Sequence, residues 1–317
     1  MSRELTSLSV VVPGLNEAET LPLLYEKLVA SLGGGEWKLE IVFVDDGSTD
    51  GSARICAELH AKDPRFQFLS LSRNFGHQRA LTAGLDFATG QAVVAMDADL
   101  QDPPEVVLEM IARWKDGVDV VYAKRRSRQG ETAFKKATAA AYYRIIRFLS
   151  GMSLPEDTGD FRLMDRVVVD NLSRLREQGR FMRGLVHWVG FRQEALLYDR
   201  HARAGGETKY PLMKMLRFAW DGITSFSTMP LRLATWCGFG TFVFAAFLIV
   251  IYAVRKIFFN DSLVPGWTAL FISVIGFGGL QMFFIGLLGE YVARCFDEVK
   301  GRPLYLVRAA SLKRPGD

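Results

Sequence analysis

Cysteine is scarce in this chain, and its few positions lie far apart. The three cysteines, Cys56, Cys237 and Cys295, lack the spacing that zinc sites and disulfide frameworks need. This pattern excludes a disulfide-stabilised secreted scaffold and suits a reducing compartment. The amino terminus also lacks a signal peptide, because the apolar run at 8–12 is too short and Pro13 stops it. We therefore expect the catalytic part to stay in the cytoplasm.

The chain has no strong excess of either charge. Its 39 basic and 35 acidic residues give a net charge of +4, which indicates no nucleic-acid partner. The Gly-x-Gly-x-x-Gly pattern of dinucleotide-binding domains is absent after the first predicted strand, where residues 13–17 read Pro-Gly-Leu-Asn-Glu. A hydride-transferring enzyme is therefore disfavoured.

Short apolar runs alternate with helical segments in the first part of the chain, whose 317 residues suffice for a full core and an appended module. Strands are predicted at 8–12, 39–44, 66–71, 92–96, 119–123 and 193–199. Helices separate them, and Asn16 with Glu19 fits a capping box for the first. The alternation predicts an α/β fold with a doubly wound, mostly parallel sheet. Residues 156–162 look like a polar turn before a helix at 165–176, which Asp165 caps.

Carboxylates follow two of the predicted strands directly. Asp97, Asp99 and the amide of Gln101 come after the strand at 92–96, at the sheet edge where open α/β folds bind ligands. Such an all-oxygen set suits Mg²⁺ or Mn²⁺, with a diphosphate completing the shell. An Asp-x-Asp triplet alone is a weak signal, and a solvated strand-to-helix turn is the ordinary alternative. Asp45 and Asp46 occupy the same kind of position after the strand at 39–44.

A series of motifs carries a family resemblance across nearly the whole chain. They are VVPGLNE at 11–17, VDDGSTDGS at 44–52, LSRNFGHQRAL at 71–81, MDADLQDPPE at 96–105, RRSRQGE at 125–131, TGDFRLMDR at 158–166 and GGETKYPL at 205–212. In this order they resemble family 2 glycosyltransferases with the GT-A fold. The series is most similar to polyprenyl-phosphate glycosyltransferases of the dolichol-phosphate mannose synthase type, in the bacterial GtrB/ArnC-like branch.

The resemblance implies an inverting transfer of a sugar from a nucleotide diphosphate donor to undecaprenyl phosphate or a related polyprenyl phosphate. A UDP-hexose such as UDP-glucose is the donor it favours, although the residues themselves name neither sugar nor nucleotide. It places Asp160 at the reaction centre, either as a general base or as a group that orients the acceptor or a basic side chain. A phosphate acceptor is already mostly dianionic at pH 7, so a base is not obligatory.

The remaining site residues also follow from the resemblance. Asp99 serves catalysis together with the phosphate-binding Arg125 and Arg128, and Asp97, Asp99 and Gln101 hold the metal. The donor contacts the segment Pro13, Leu15, Asn16 and Glu17, with Asp97 and either Asp45 or Asp46. Arg200, Arg203 and Lys209 belong to a glycine-rich basic loop that binds donor or acceptor phosphate.

Two other functional classes are weighed against this one. A processive polysaccharide synthase shares the catalytic domain, but its Gln-x-x-Arg-Trp motif is absent, since Arg113-Trp114 has no such glutamine and lies elsewhere. A catalytically idle membrane scaffold need not keep the site carboxylates, and every one of them is present here.

Two long uncharged runs occupy the carboxyl-terminal third. The first is 22 residues long, at 233–254, and the second is 28 residues long, at 262–289. Each is long enough to cross the hydrocarbon layer of about 30 Å at about 1.5 Å per residue, which predicts a transmembrane hairpin with helices at about 233–254 and 266–289. The loop that connects the two helices has two basic residues, and more basic residues lie on each side of the hairpin. This excess predicts a multi-pass inner (plasma) membrane protein with both termini in the cytoplasm.

The predicted organisation has four parts. They are a cytoplasmic GT-A domain at 1–208, an amphipathic juxtamembrane segment at 209–231, the hairpin at 232–290 and a cytoplasmic or interfacial tail at 291–317. An interfacial helix is expected at 212–223, where apolar residues recur at helical spacing. Glycines in the hairpin, at positions 238, 240, 276, 278 and 279, permit close helix packing and predict a homo-oligomer in the lipid bilayer.

Overall fold

The structure is a computed structural model that describes residues 3–126, 158–199, 229–259 and 266–313. The described residues belong to two compact units. The first comprises 3–126, 158–199 and 302–313, and the second comprises 229–259 and 266–301. The predicted interfacial helix at 212–223 lies outside the described residues.

An eight-stranded sheet forms the centre of the first unit. Its strands are β1 Ser7–Gly14, β2 Lys38–Asp45, β3 Phe66–Leu71, β4 Ala92–Ala95, β5 Val120–Arg125, β6 Thr158–Asp165, β7 Gln193–Tyr198 and β8 Val307–Ala310. They lie in the order β7-β5-β6-β4-β1-β2-β3-β8. The pairs β4-β1, β1-β2, β2-β3 and β5-β7 are parallel, whereas β6 is antiparallel to both its neighbours and β8 is antiparallel to β3. The predicted mostly parallel α/β sheet is confirmed.

Six helices accompany this sheet in the described residues. They are α1 Leu21–Leu32, α2 Ser52–Lys62, α3 His77–Phe87, α4 Val106–Lys115, α5 Arg166–Arg174 and α6 Met182–Trp188. The largest fully buried side chains, Trp114, Phe43, Phe66 and Phe161, come from helix and strands alike. The central strands β1 and β4 are buried on both faces, as their largely apolar sequences indicate.

The segment predicted as a polar turn at 156–162 differs in the structure. Residues 158–165 form β6, which pairs with β4 on one side and β5 on the other. The local pattern did not indicate a strand because Asp160 and Arg162, both buried, carry charge at interior positions and contact each other. The next helix begins as predicted, since Asp165 Oδ1 accepts a hydrogen bond from Val167 N at 2.9 Å.

The predicted capping box of α1 is wrong. The helix begins at Leu21 after Thr20, and no side chain caps it. Asn16 instead adopts a left-handed backbone conformation with a φ of 58°, and its Oδ1 accepts a hydrogen bond from Thr49 N at 2.9 Å. The asparagine therefore joins the loop after β1 to the loop after β2.

The carboxyl-terminal segment forms an edge strand that the sequence did not predict. Val307–Ala310 pairs with β3, and Ser311 Oγ accepts a hydrogen bond from Phe68 N. Before the strand, Tyr305 donates to Asp86 Oδ2 on α3 at 2.7 Å. The segment 302–313 is thus part of the first unit.

The second unit contains two long helices in its described residues, α7 Met229–Phe259 and α8 Trp267–Val299. Within the described part of the chain, one segment, Gly276–Val299, is long and apolar enough to cross a membrane by length and composition. The helical state of both predicted hairpin segments is confirmed, while the crossing of the membrane by both stays a prediction.

Candidate active site at the carboxyl edge of the sheet

The carboxyl ends of β1, β2, β4 and β5 meet at one edge of the sheet, and the antiparallel β6 begins there. In the pairing of β4 with β6, Ala95 lies opposite Arg162. Continuing this register by two residues brings Asp97 level with Asp160. β6, which the local sequence pattern did not predict, therefore brings Asp97 and Asp160 together.

His77 lies between these two acids. Its Nε2 is 3.4 Å from Asp97 Oδ1 and 3.3 Å from Asp160 Oδ2. The histidine is the first residue of α3 and follows Gly76, whose φ of 95° favours glycine. Burial opposes the protonated form, but the hydrogen bond to Asp160 and the charge of Asp97 raise the pKa of His77 above its ordinary value. The motif at 71–81 contains this residue, and the sequence analysis did not assign it to the site.

Asp160 is buried among donors and cations. Gln78 Nε2 donates to its Oδ2 at 2.9 Å, and Arg183 Nε donates to its Oδ1 at 3.0 Å. Arg162 Nη2 lies 3.8 Å from Oδ1. Burial alone would raise the pKa of Asp160, but the hydrogen bond with His77 and the charges of Arg183 and Arg162 hold it far below its usual range. The carboxylate is therefore ionised throughout the neutral pH range.

Gln78 connects this acid to a second element. Its Oε1 accepts a hydrogen bond from Met182 N, the first residue of α6, at 2.8 Å. A backbone N–H can only donate, so it fixes the orientation of the amide and turns the NH₂ group toward Asp160. Gln78 and Arg183 were missed by the sequence analysis because their partners are distant in the chain, and Arg162 was missed because its strand was taken for a turn.

The loop after β4 carries the residues predicted to hold a metal. Asp97 Oδ1 is buried and has no hydrogen-bond partner among the described residues. Burial raises the pKa of Asp97 to about 6, and nearby acids including Asp160 and Asp99 add to the effect while His77 opposes it. Asp99 Oδ1 accepts from Gln101 N at 3.1 Å, and Leu100 between them has a φ of 59°. In the part of the chain that the structure describes, no group of three or more His, Cys, Asp or Glu side chains is arranged to hold a metal.

Asp45 and Asp46, predicted to contact the nucleotide, are both buried at the end of β2. Asp46 accepts from Phe75 N at 2.7 Å through Oδ1 and from Gly76 N at 2.9 Å through Oδ2. It thereby positions the loop that precedes His77. Asp45 Oδ1 accepts from Ser48 N at 2.9 Å. The nucleotide contact stays a prediction, and Asp45 is the better candidate because both oxygens of Asp46 bind backbone.

The segment 13–17, also predicted to contact the donor, leaves β1 at the same edge. Pro13 still pairs with Val44 within the sheet, and Leu15 is partly exposed. Beyond it, Asn16 N donates to Ser48 Oγ at 2.8 Å, and Glu17 N donates to Ser52 Oγ at 3.0 Å. These bonds give the loop after β1 a fixed shape beside Asp45.

Arg125 ends β5 at this edge, opposite Tyr198 of β7. Its Nε is buried and has no hydrogen-bond partner among the described residues. Tyr198 donates to Asp102 Oδ1 at 2.7 Å, and burial with this bond raises the pKa of Tyr198 while Arg125 opposes the shift. The other predicted phosphate-binding residues, Arg128, Arg200, Arg203 and Lys209, lie outside the described residues.

The chain is similar to known proteins over almost its full length. It is 48% identical to an uncharacterized glycosyltransferase of Bacillus subtilis, covering 97% of this chain and 95% of that one. It is 40% identical to the bactoprenol glucosyl transferase of Shigella phage SfII, covering 97% and 99%, and to the prophage bactoprenol glucosyl transferase homolog of Escherichia coli, covering 95% and 98%. A solved structure of glucosyl-3-phosphoglycerate synthase from Mycobacterium tuberculosis overlaps 69% of this chain and 76% of that chain, with 19% identity and a TM-score of 0.48.

The match to a described family covers the site. Residues 9–173 match Glycosyl transferase family 2, a range that includes most of β1, all of β2 to β6 and the acids Asp97 and Asp160. With the full-length relatives, this match confirms the resemblance drawn from the motifs. The chain is a glycosyltransferase that belongs to glycosyl transferase family 2.

Proposed function

We propose that the protein transfers a hexose, glucose above all, from a UDP-sugar to a polyprenyl phosphate at the cytoplasmic face of a membrane. Full-length similarity to proteins named bactoprenol glucosyl transferase supports the acceptor and the sugar. The observation that carries the chemistry is the pair Asp97 and Asp160, which His77 connects at the carboxyl edge of the sheet. A metal-assisted donor site and an acceptor site would thus meet at this edge.

The donor side would use a divalent cation, Mg²⁺ or Mn²⁺. Asp97, Asp99 and Gln101 fit such an ion, since hard oxygen ligands are what it prefers and the buried Asp97 Oδ1 has no hydrogen-bond partner among the described residues. Two carboxylates and one amide leave positions for diphosphate oxygens, so the site would be complete only with the donor present. The ion would supply positive charge for the departing diphosphate.

The acceptor would react without prior proton removal. A phosphate monoester has a second pKa near 6, so it is mostly dianionic at pH 7. Its oxygen attacks the anomeric carbon, the bond from that carbon to the donor diphosphate breaks, and UDP leaves with the electron pair. A single displacement of this kind inverts the anomeric configuration. Asp160 would orient basic side chains around the acceptor, because its depressed pKa makes it a poor proton acceptor.

The two long helices would anchor the protein in the membrane that holds the acceptor's lipid chain. At about 1.5 Å per residue, the 31 residues of α7 and the 33 of α8 each exceed the hydrocarbon layer of about 30 Å. Large apolar side chains are exposed on both helices, including Trp236, Phe239, Phe244, Phe247 and Phe258 on α7 and Phe277, Phe283, Ile285, Val292 and Phe296 on α8. Transfer of each such side chain from water into lipid would contribute about 1.5–3 kcal/mol of favourable free energy. We therefore propose that both helices cross the bilayer.

Radiolabelled sugar nucleotides test the proposal. Purified protein in detergent receives undecaprenyl phosphate, a divalent cation and either UDP-glucose, UDP-galactose or GDP-mannose, and the lipid fraction is then extracted. We expect label in the lipid with UDP-glucose and release of UDP in equal amount. A single sugar per lipid excludes a processive synthase. Absence of labelled lipid with every donor would refute the proposal.

A further inference from the structure

Arg183 is held at the site by one edge of its guanidinium group. Its Nε donates to Asp160 Oδ1 at 3.0 Å. The side chain is 37% exposed, while that of its partner Asp160 is 6% exposed. No described residue accepts a hydrogen bond from its two terminal nitrogens. The outer edge of the fork, Nη1 and Nη2, is therefore available to a ligand.

The other arginine at Asp160 cannot take this role. Arg162 is 5% exposed, and it donates through Nη2 to Gly159 O at 2.8 Å and through Nε to Asp160 O at 3.3 Å. It therefore binds the backbone of β6 near the start of that strand. Arg183 thus differs from Arg162 in being partly exposed and in being bound, among the described residues, through Nε alone.

Two separate bonds fix the position of Arg183. Gln78 holds Asp160 through Nε2 and holds the backbone of the neighbouring Met182 through Oε1. Gln78 thus binds both Asp160, which holds the side chain of Arg183, and Met182, which precedes Arg183 in α6. Pre-organisation of this kind reduces the entropy lost when a ligand binds.

We propose that Arg183 binds a phosphate group of a substrate through its outer edge, with Asp160 and Gln78 as its positioning residues. The planar guanidinium matches two phosphate oxygens, and Asp160 compensates its charge in the absence of substrate. The inference rests on the proposed function, which brings two phosphate-bearing substrates to this edge. The acceptor monophosphate and the donor diphosphate share this chemistry.

Equilibrium binding tests the assignment without turnover. Binding of UDP with Mg²⁺ and binding of a short-chain polyprenyl phosphate are measured separately for the wild type, Arg183→Ala and Arg183→Lys. A charged hydrogen-bond pair predicts a loss of about 10- to 100-fold for one of the two ligands in Arg183→Ala. Arg183→Lys keeps the positive charge but lacks the planar guanidinium, so it should recover only part of the lost affinity. The ligand that loses affinity identifies the source of the phosphate.

Arg174→Ala is the matched control, because Arg174 is an exposed arginine at the end of α5 in the same unit. It should bind both ligands as the wild type does. Unchanged affinity of Arg183→Ala for both ligands would overturn the proposal, as would an equal loss in Arg174→Ala. Wild type that binds both ligands but transfers no sugar would refute the proposed function and leave the binding result for Arg183 standing.

A double-substitution cycle tests the positioning role. If Asp160 acts through Arg183, Arg183→Ala should weaken binding much less in an Asp160→Asn background than in the wild type. Additive losses would refute the positioning of Arg183 by Asp160. Arg183→Lys serves as the partner in the cycle if Arg183→Ala does not fold, and thermal unfolding of each variant is measured in parallel.

Discussion

Replacement of Asp160 by asparagine separates the two roles that this acid could have. The substitution preserves the shape of the side chain but turns one oxygen into an NH₂ group. Oδ1 faces Arg183 Nε, and Oδ2 faces Gln78 Nε2. The new NH₂ group therefore meets a donor in either orientation. Gln78 cannot turn to accept from it, because Met182 N–H holds its Oε1.

The cost in stability follows from this geometry. Removing one partner of a buried charge pair costs about 3–5 kcal/mol, and the retained shape and one retained hydrogen bond favour the lower end. A loss of about 3 kcal/mol corresponds to a fall in Tm of roughly 6–12 °C for a domain of this size. The pKa of Asp160 is lower in the folded protein than in the unfolded chain, where it is about 3.9. The stability that its carboxylate contributes is therefore fully present above that pH. The difference in stability between wild type and variant should be largest between about pH 4 and 6.5, where His77 is protonated and bound to Asp160. It should narrow as pH rises through the raised pKa of His77, and it should narrow again in strong acid, where Asp160 is protonated.

The rate assay distinguishes orientation from proton removal. We expect kcat/KM for the polyprenyl phosphate to fall about 10- to 100-fold in Asp160→Asn. The rates of both enzymes should rise together through the phosphate's second pKa near 6 and level off above it. A variant that is a thousandfold slower at pH 8, with unchanged binding of both substrates, would refute orientation and assign Asp160 as the general base. An unchanged Tm would refute the reasoning on its hydrogen bonds.

Three further predictions concern the metal, the topology and the carboxyl-terminal segment. Asp99→Ala should abolish transfer without unfolding the protein, EDTA should do the same to the wild type, and added Mg²⁺ or Mn²⁺ should restore the wild type alone; full activity in metal-free buffer would contradict the metal site. In a background that lacks the native cysteines, Asn260→Cys should react with an impermeant thiol reagent in intact cells, whereas a cysteine at the carboxyl terminus should not; the reverse pattern would invert the topology. Tyr305→Phe should lower the Tm by roughly 2–4 °C, because it removes one bond of about 1 kcal/mol to the buried Asp86, and an unchanged Tm would show that this bond contributes nothing.

The sequence alone determined the mostly parallel sheet and the edge of the sheet at which the candidate site lies. Runs such as 8–12, in which only Ser9 is polar, and 92–96 are apolar because these strands are buried on both faces, and that property is local. The acids that follow such runs must lie at the carboxyl edge of the sheet. Asp97 and Asp99 were therefore placed correctly at this edge before any tertiary contact was known.

The tertiary structure alone decided which groups surround Asp160. Gln78 is 82 residues from Asp160 and 104 residues from Met182, so no local periodicity relates them. The strand that carries Asp160 was taken for a turn because its buried charges compensate one another across the site, and such pairing leaves no apolar pattern in the strand's own sequence. The edge strand β8 was missed because its pairing partner β3 lies more than 200 residues earlier in the chain. Long-range pairing and charge compensation are properties of the assembled sheet, and they fix the geometry in which the reaction would occur.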